Sequence, residues 1–98
     1  MEKDKLHRQY YEINQYLAKK LKESRVQHEP YLSQERLAEG IGINRSTLAG
    51  YENCQTIAPW WIVCIYSKYF EKDLSYYSYL DNLEKEEDNI ESISQKNT

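Results

Sequence analysis

Groups able to act as nucleophiles, acid–base catalysts or metal ligands are sparse in this sequence and stand apart from one another. The two cysteines, Cys54 and Cys64, lie ten positions apart with no histidine nearby, a spacing that argues against a zinc site. They read as reduced packing thiols rather than a disulfide. His7 and His28 fall in separate segments expected to be exposed. No nucleophile is paired with a base, no glycine-rich phosphate loop occurs, and the carboxylates crowd the C-terminal end. An enzyme is therefore not expected, and neither a metal nor a cofactor is called for.

The polar chemistry that is concentrated lies in one stretch, S-Q-E-R-L-A-E-G-I-G-I-N-R-S-T-L-A-G-Y-E-N, residues 33–53. It reads as two short helices hinged at a glycine, a unit that usually offers one face to DNA. Two helices crossing steeply through a tight turn need a small residue where they meet and a glycine in the turn. They also need large apolar residues that plug the second helix onto the first. Counted from Gln34 as the first position, Ala38 is fifth, Gly42 ninth, Leu48 fifteenth and Tyr51 eighteenth. All four requirements are met. The alternative is an ordinary helical hairpin that happens to contain alanine and glycine. It requires four coincidences in one window, together with two good caps, Ser33 and Asn44.

The elements that position this stretch follow from periodicity. Leu6, Tyr10, Ile13, Leu17, Leu21 and Ser24 recur every three or four residues, which predicts an amphipathic first helix of about twenty residues. It should stop before Pro30, because the residue preceding proline avoids helical backbone. Ser33 caps a second helix with Leu37 and Ile41 inward, and Gly42 ends it. Asn44 caps a third, 45 to about 53. Pro59 suits the first turn of a fourth, running to about Phe70. Its Trp60, Val63, Cys64, Ser67 and Phe70 are assigned to the core. Asp73 is expected to cap a fifth helix through Leu74, Tyr77, Leu80 and Leu83. Nothing alternates convincingly as a strand. The expectation is an all-α, five-helix domain over 1–83, followed by a polar acidic tail, 84–98, whose composition favours flexibility.

Length and charge are compatible with this. The 98 residues suffice for one modest core, and ten tyrosines and two tryptophans add apolar bulk. The longest apolar run is far too short to span a bilayer, and no signal-peptide pattern opens the sequence, so a cytoplasmic protein is expected. The formal charge of −3 hides a gradient: residues 1–50 carry nine Lys/Arg against seven Asp/Glu, residues 51–98 four against nine. The acidity thus sits away from the glycine-hinged unit and does not veto contact with a polyanion.

Residues 17–80 resemble the Cro/repressor-type (XRE-like) helix-turn-helix domain of phage and bacterial regulators. S-Q-E-R-L-A matches the opening of that fold's second helix and Y-E-N the ending of its third. A-P-W-W and S-K-Y-F-E-K-D-L-S-Y-Y resemble its fourth and fifth. The resemblance implies a compact five-helix repressor-like fold with an extended N-terminal helix. It also implies that Gln34 bonds a phosphate, that Arg45, Ser46 and Thr47 face base edges in the major groove, and that Asn53, helped by Gln55, meets a phosphate across the groove. Arg25 and Glu52 match a pair tying the first helix to the third, beside the supporting Ala38, Gly42, Leu48 and Tyr51. An arginine at position 45 can donate two parallel bonds to guanine, a contact worth roughly 1–3 kcal/mol of discrimination; the alternative is that it only meets a phosphate.

The chain departs from the family pattern at several places, of which the glycine at Gly40 is one. Ala49 and Gly50 stand where relatives carry longer polar residues, so either the backbone approaches DNA there or that face does not read. Cys54 stands where relatives often have glycine, and the loop between Arg25 and Ser33 is two residues longer. Basic residues near the motif are few: Arg36, Arg45 and the Lys19-Lys20-Lys22 cluster.

The fourth helix is apolar almost all round. If one side faces the core, Trp61, Ile62, Ile65 and Tyr69 remain, joined by Tyr76 and Tyr79. This set is a candidate homodimer interface, since a small monomer seldom leaves such a patch bare; the alternative is that the long first helix covers it. The expected function is a sequence-specific, double-stranded-DNA-binding regulator, a repressor of phage, mobile-element or restriction-control type. The competing reading is a protein-interaction module, an antitoxin or anti-repressor that engages a toxin or repressor through its scaffold and acidic tail.

Overall fold

The computed structural model describes residues 2–79, with side chains from residue 7 onward. The chain opens with α1 (Glu2–Val26), an unbroken helix of 25 residues. It exceeds the expected twenty because neither glycine nor proline interrupts it. Among its described side chains, Ala18, Leu21, Ser24 and Arg25 in the C-terminal half are buried on one stripe, whereas Tyr10 and Tyr11 are exposed. The helix stops short of Pro30, as the sequence requires, with Arg25 in its last turn.

The following loop carries a cis Glu29–Pro30 peptide. His28 is half-buried rather than exposed, its ring 5.6 Å from that of Phe70. Ser33 then caps α2 (Gln34–Ile41), its hydroxyl accepting from the Arg36 N–H at 3.1 Å. Gly42 ends α2 in the left-handed region, φ +91, and the N–H groups of Gly42 and Ile43 both reach the Ala38 carbonyl, at 2.8 and 3.0 Å. This closure lets the chain reverse within three residues into α3 (Arg45–Glu52). Asn44 has the extended backbone of a cap but makes no side-chain cap bond.

After α3 the chain turns at Cys54, which adopts φ +61, the backbone region that glycine occupies most easily. The N–H groups of Gln55 and Thr56 fold back onto the Gly50 carbonyl at 2.9 and 3.2 Å. Pro59 precedes α4 (Trp60–Tyr69). The expected fifth α-helix is corrected. The segment forms a single 3-10 turn, Leu74–Tyr77, and Ser78 returns to extended backbone. Asp73 supplies no side-chain cap, and the Ser78 hydroxyl bonds the Ser75 carbonyl at 3.0 Å, a local bond that competes with helix continuation. Leu80, Leu83 and the acidic stretch 84–98 lie outside the described residues. Those residues therefore form an all-helical fold of four α-helices and one 3-10 turn, without strands.

The core joins Leu21 of α1, Leu37 and Ala38 of α2, Leu48 of α3, Ala58, and Ile62, Val63 and Tyr66 of α4, closed by Phe70 and Tyr77. Two expectations for α4 are overturned here. Trp60, assigned to the core, is 66% exposed, and Ile62, assigned to a partner surface, is 0% exposed. The helix is rotated so that positions 62, 63, 66 and 70 face inward. Nearly every residue of α4 is apolar, so hydrophobicity alone does not choose a face. The choice is made by Tyr66, whose hydroxyl finds a buried acceptor.

Candidate functional site

That acceptor is Glu52, at the end of α3. Its carboxylate takes hydrogen bonds from the Arg25 guanidinium (Nε to Oε1 and Oε2, both 3.0 Å; Nη2 to Oε1, 2.9 Å). The Tyr66 hydroxyl donates to Oε2 at 2.8 Å, and the Gln34 side-chain amide donates to Oε1 at 3.1 Å. Arg25 also donates through Nη1 to the Leu32 carbonyl at 3.1 Å, which ties the loop before α2 to the same point. One carboxylate thus collects a donor from α1, α2 and α4. Burial pulls the Arg25 guanidinium toward neutrality, but the hydrogen bonds and charge of Glu52 outweigh it and hold its pKa above the usual value. Burial, reinforced by the neighbouring carboxylate, pushes the Tyr66 phenol far above its ordinary range, so it remains a neutral donor.

This arrangement fixes the α2–α3 unit against α1 and α4 while leaving the start of α3 open. Arg45, Ser46 and Thr47 are all exposed, and the next residue, Leu48, is completely buried. The change of character within one turn follows from helix geometry, with Leu48 plugging the hairpin beside Ala38 and Leu37 while the preceding turn overhangs it. Tyr51 is half-buried against the same core.

Arg45 and Gln34 border one polar cleft of about 330 Å³, shared with Lys22, Arg25, Tyr31, Ser33 and Glu35. Asn53 and Gln55, both exposed, stand at the far end of α3, roughly 12 Å along the axis from Arg45 at 1.5 Å per residue. The six candidate residues therefore form two groups bracketing α3 rather than one cluster. Between them Gly50 is buried, and a Cβ there would lie 3.6 Å from the Thr56 hydroxyl. The Gly50 side of α3 is closed by the chain's own 55–56 segment, so the absence of a long side chain reflects internal packing.

The basic run of α1 is divided by the helix. Lys20 turns to the 3-10 side, paired with Glu23 at 3.1 Å and lying over the rings of Tyr16 and Tyr76. Lys22, two residues on, is exposed and borders the cleft. Among the candidate interface residues, Trp61 and Tyr69 are exposed and Ile65 is half-buried. Tyr76 lies beneath Lys20 and Lys72, and Tyr79 stacks edge-on to Tyr16 at 5.2 Å, so α1 covers part of that surface. An apolar groove of about 410 Å³ remains between α1, α4 and the 3-10 turn, bordered by Ile13, Leu17, Trp60, Val63, Leu74 and Tyr77.

Sequence reasoning paired Arg25 with Glu52 but missed Tyr66 and the inward bond of Gln34. The available signal for Tyr66 was that it is the first hydroxyl-bearing residue after the apolar run 60–65 of α4. Among the described residues no group of three or more His, Cys, Asp or Glu is placed to hold a metal, and no helix is long and apolar enough to cross a membrane. No protein-family model matches the chain, and no curated protein or solved structure matches it.

Proposed function

We propose that this chain is a sequence-specific DNA-binding regulator of transcription, a repressor of phage, mobile-element or restriction-control type, in which α2 and α3 act as a helix-turn-helix of the Cro/repressor kind. One observation carries the reading: the first turn of α3 presents Arg45, Ser46 and Thr47 outward together, directly ahead of the buried Leu48. A short helix held at its far end by Glu52, with a guanidinium and two hydroxyls at its free end, suits insertion into the major groove. Gln34 and Asn53 stand on either side as phosphate contacts. The supply of basic side chains is small, so a monomer binds weakly, and a homodimer compensates by placing two reading helices roughly 34–36 Å apart. Trp61 and Tyr69 are the exposed residues offered for that contact.

A second reading draws on the exposed Trp60 and Trp61 beside the apolar groove, which suit capture of a protein partner such as a toxin or repressor. The two roles are compatible in one chain. Fluorescence-anisotropy titration against duplexes selected from a random pool separates them. The regulator reading expects binding that weakens steeply with salt and differs between sequences. Binding indifferent to both leaves only the interaction module.

A further inference from the structure

We infer that the cleft where α1, α2 and α3 meet is a seat for one phosphodiester of duplex DNA, with Lys22 supplying the charge and Gln34 and Tyr31 the hydrogen bonds. This rests on the DNA-binding reading and deepens it by adding two contacts, Lys22 and Tyr31, that lie outside the α2–α3 unit.

The chemistry of the lining selects the ligand. The cleft holds about 330 Å³, roughly ten times the ~30 Å³ share of a water molecule, enough for a phosphate with part of its hydration. Lys22 and Tyr31 are exposed, and both can donate to an acceptor placed in the cleft. Gln34 gives one Nε2 hydrogen to Glu52 at 3.1 Å. A carboxylate only accepts, so the amide is held nitrogen-inward and its second hydrogen remains for a ligand. Three donors around one space call for an acceptor, and the charge balance calls for an anion. The Arg25 charge is met by Glu52, whereas among the described residues no carboxylate lies within salt-bridge distance of Lys22 or Arg45. Glu35 is the opposing charge of the lining. Arg45 stands at the border, where its charge favours the anion while its planar fork stays with base edges.

The position also gives the seat a mechanical meaning. Asn53 stands at the opposite end of α3, so a phosphate beside Lys22 and another at Asn53 hold the reading helix from both sides. The long 27–33 loop brings Tyr31 to the cleft, which gives the two additional loop residues a use.

The test is a salt series of anisotropy titrations with a mixed-sequence duplex of about two helical turns, using the full chain and the K22A, Y31F and E35Q variants. All three positions are exposed, so folding is retained. For K22A the slope of log K against log salt is expected to fall by about 0.9, the share of one neutralised phosphate, with relative preference among sequences unchanged. Y31F weakens binding severalfold at unchanged slope, and E35Q tightens it. A second arm titrates inorganic phosphate into the protein by NMR, where the amides of Lys22 and Gln34 are expected to shift saturably in the wild type and not in K22A. DNA binding with an unchanged K22A slope and no phosphate-induced shifts overturns the seat and leaves the regulator reading standing. Phosphate-induced shifts in a protein that binds no DNA overturn both the regulator reading and the phosphodiester assignment.

Discussion

The guanidinium of Arg25 and the carboxylate of Glu52, 27 residues apart in sequence, meet at 2.9 Å with side chains only 5% and 0% exposed. The pair joins the last turn of α1 to the last turn of α3. It does not stand alone, since Tyr66 and Gln34 donate to the same carboxylate. Removing charges from water is expensive, and such a pair is tolerated because every oxygen and most of the guanidinium hydrogens are matched. Its consequence for function is positional: the free end of α3 is held in one place by contacts at the opposite end.

Truncating one partner therefore leaves an uncompensated buried charge. Arg25→Ala is expected to destabilise the domain by about 3–5 kcal/mol, because Glu52 loses its counter-ion within the core. Urea unfolding followed by circular dichroism measures this. Arg25→Lys keeps the charge but loses the fork, and should fall between the wild type and the alanine variant. A loss below 1 kcal/mol for the alanine variant is the behaviour of an exposed pair and would contradict the burial.

Tyr66 gives the domain an alkaline limit. Its phenol titrates near 10 in the unfolded chain and far higher in the folded one, with Tyr77 raised by burial in the same direction. The folded state is thus favoured fully below pH 10, and the unfolded chain gains by releasing protons above it. Stability is expected to fall as pH rises past 10, by up to about 1.4 kcal/mol per pH unit for each tyrosine held neutral. In Tyr66→Phe the hydrogen bond to Glu52 is lost, lowering stability at neutral pH by about 1.5–3 kcal/mol, and the alkaline decline becomes shallower. Thermal melts from about pH 8 to about pH 11 on both proteins decide the matter, and parallel declines would remove Tyr66 as the cause.

Two glycines two residues apart should respond oppositely to alanine. Gly40 lies within α2 on the exposed side, with nothing within 4 Å of an added Cβ. Gly40→Ala is expected to stabilise by about 0.5–1 kcal/mol, a rise of several degrees in melting temperature for a domain this size. Gly42 has equal space but sits at φ +91, where an L side chain costs about 1–2 kcal/mol. Gly42→Ala should lower the melting temperature despite its open surroundings. Melting shifts of the same sign would mean that space rather than backbone conformation governs the turn.

Much of the scaffold was legible because its determinants are local. Ser33, Gly42 and Pro30 mark boundaries by their own backbone chemistry, and the 3–4 spacing of Leu17, Leu21 and Ser24 marks the packed stripe of α1. The Arg25–Glu52 pair was legible only through a family resemblance, since nothing local joins positions 27 apart. The face of α4 was not legible. With apolar residues at nearly every position, its rotation is fixed by where the Tyr66 hydroxyl finds a partner, a relationship 14 residues away in sequence. The segment after Asp73 was misjudged for a related reason: Asp73 and the apolar spacing after it suggest a helix, but the Ser78 hydroxyl donates locally to the Ser75 carbonyl.

The division of labour across the candidate site gives the last prediction. Arg45 is exposed at the start of α3, with a fork that fits guanine, while Gln34 is anchored to Glu52 and borders the cleft beside it. Arg45→Ala is expected to flatten discrimination at one base position by about 1–3 kcal/mol, with smaller losses on unrelated duplex. Gln34→Ala removes the proposed phosphate contact and should weaken all sequences by a similar factor. It also takes a neutral donor from Glu52, so a stability loss of about 1 kcal/mol accompanies it. Measuring affinities well below the melting temperature keeps that loss out of the comparison. Competition of selected against scrambled duplex for both variants then separates the roles. Arg45→Ala with undiminished preference would reassign the arginine to the phosphate backbone. Gln34→Ala with altered preference would place the amide at a base edge, which its bond to Glu52 is expected to prevent.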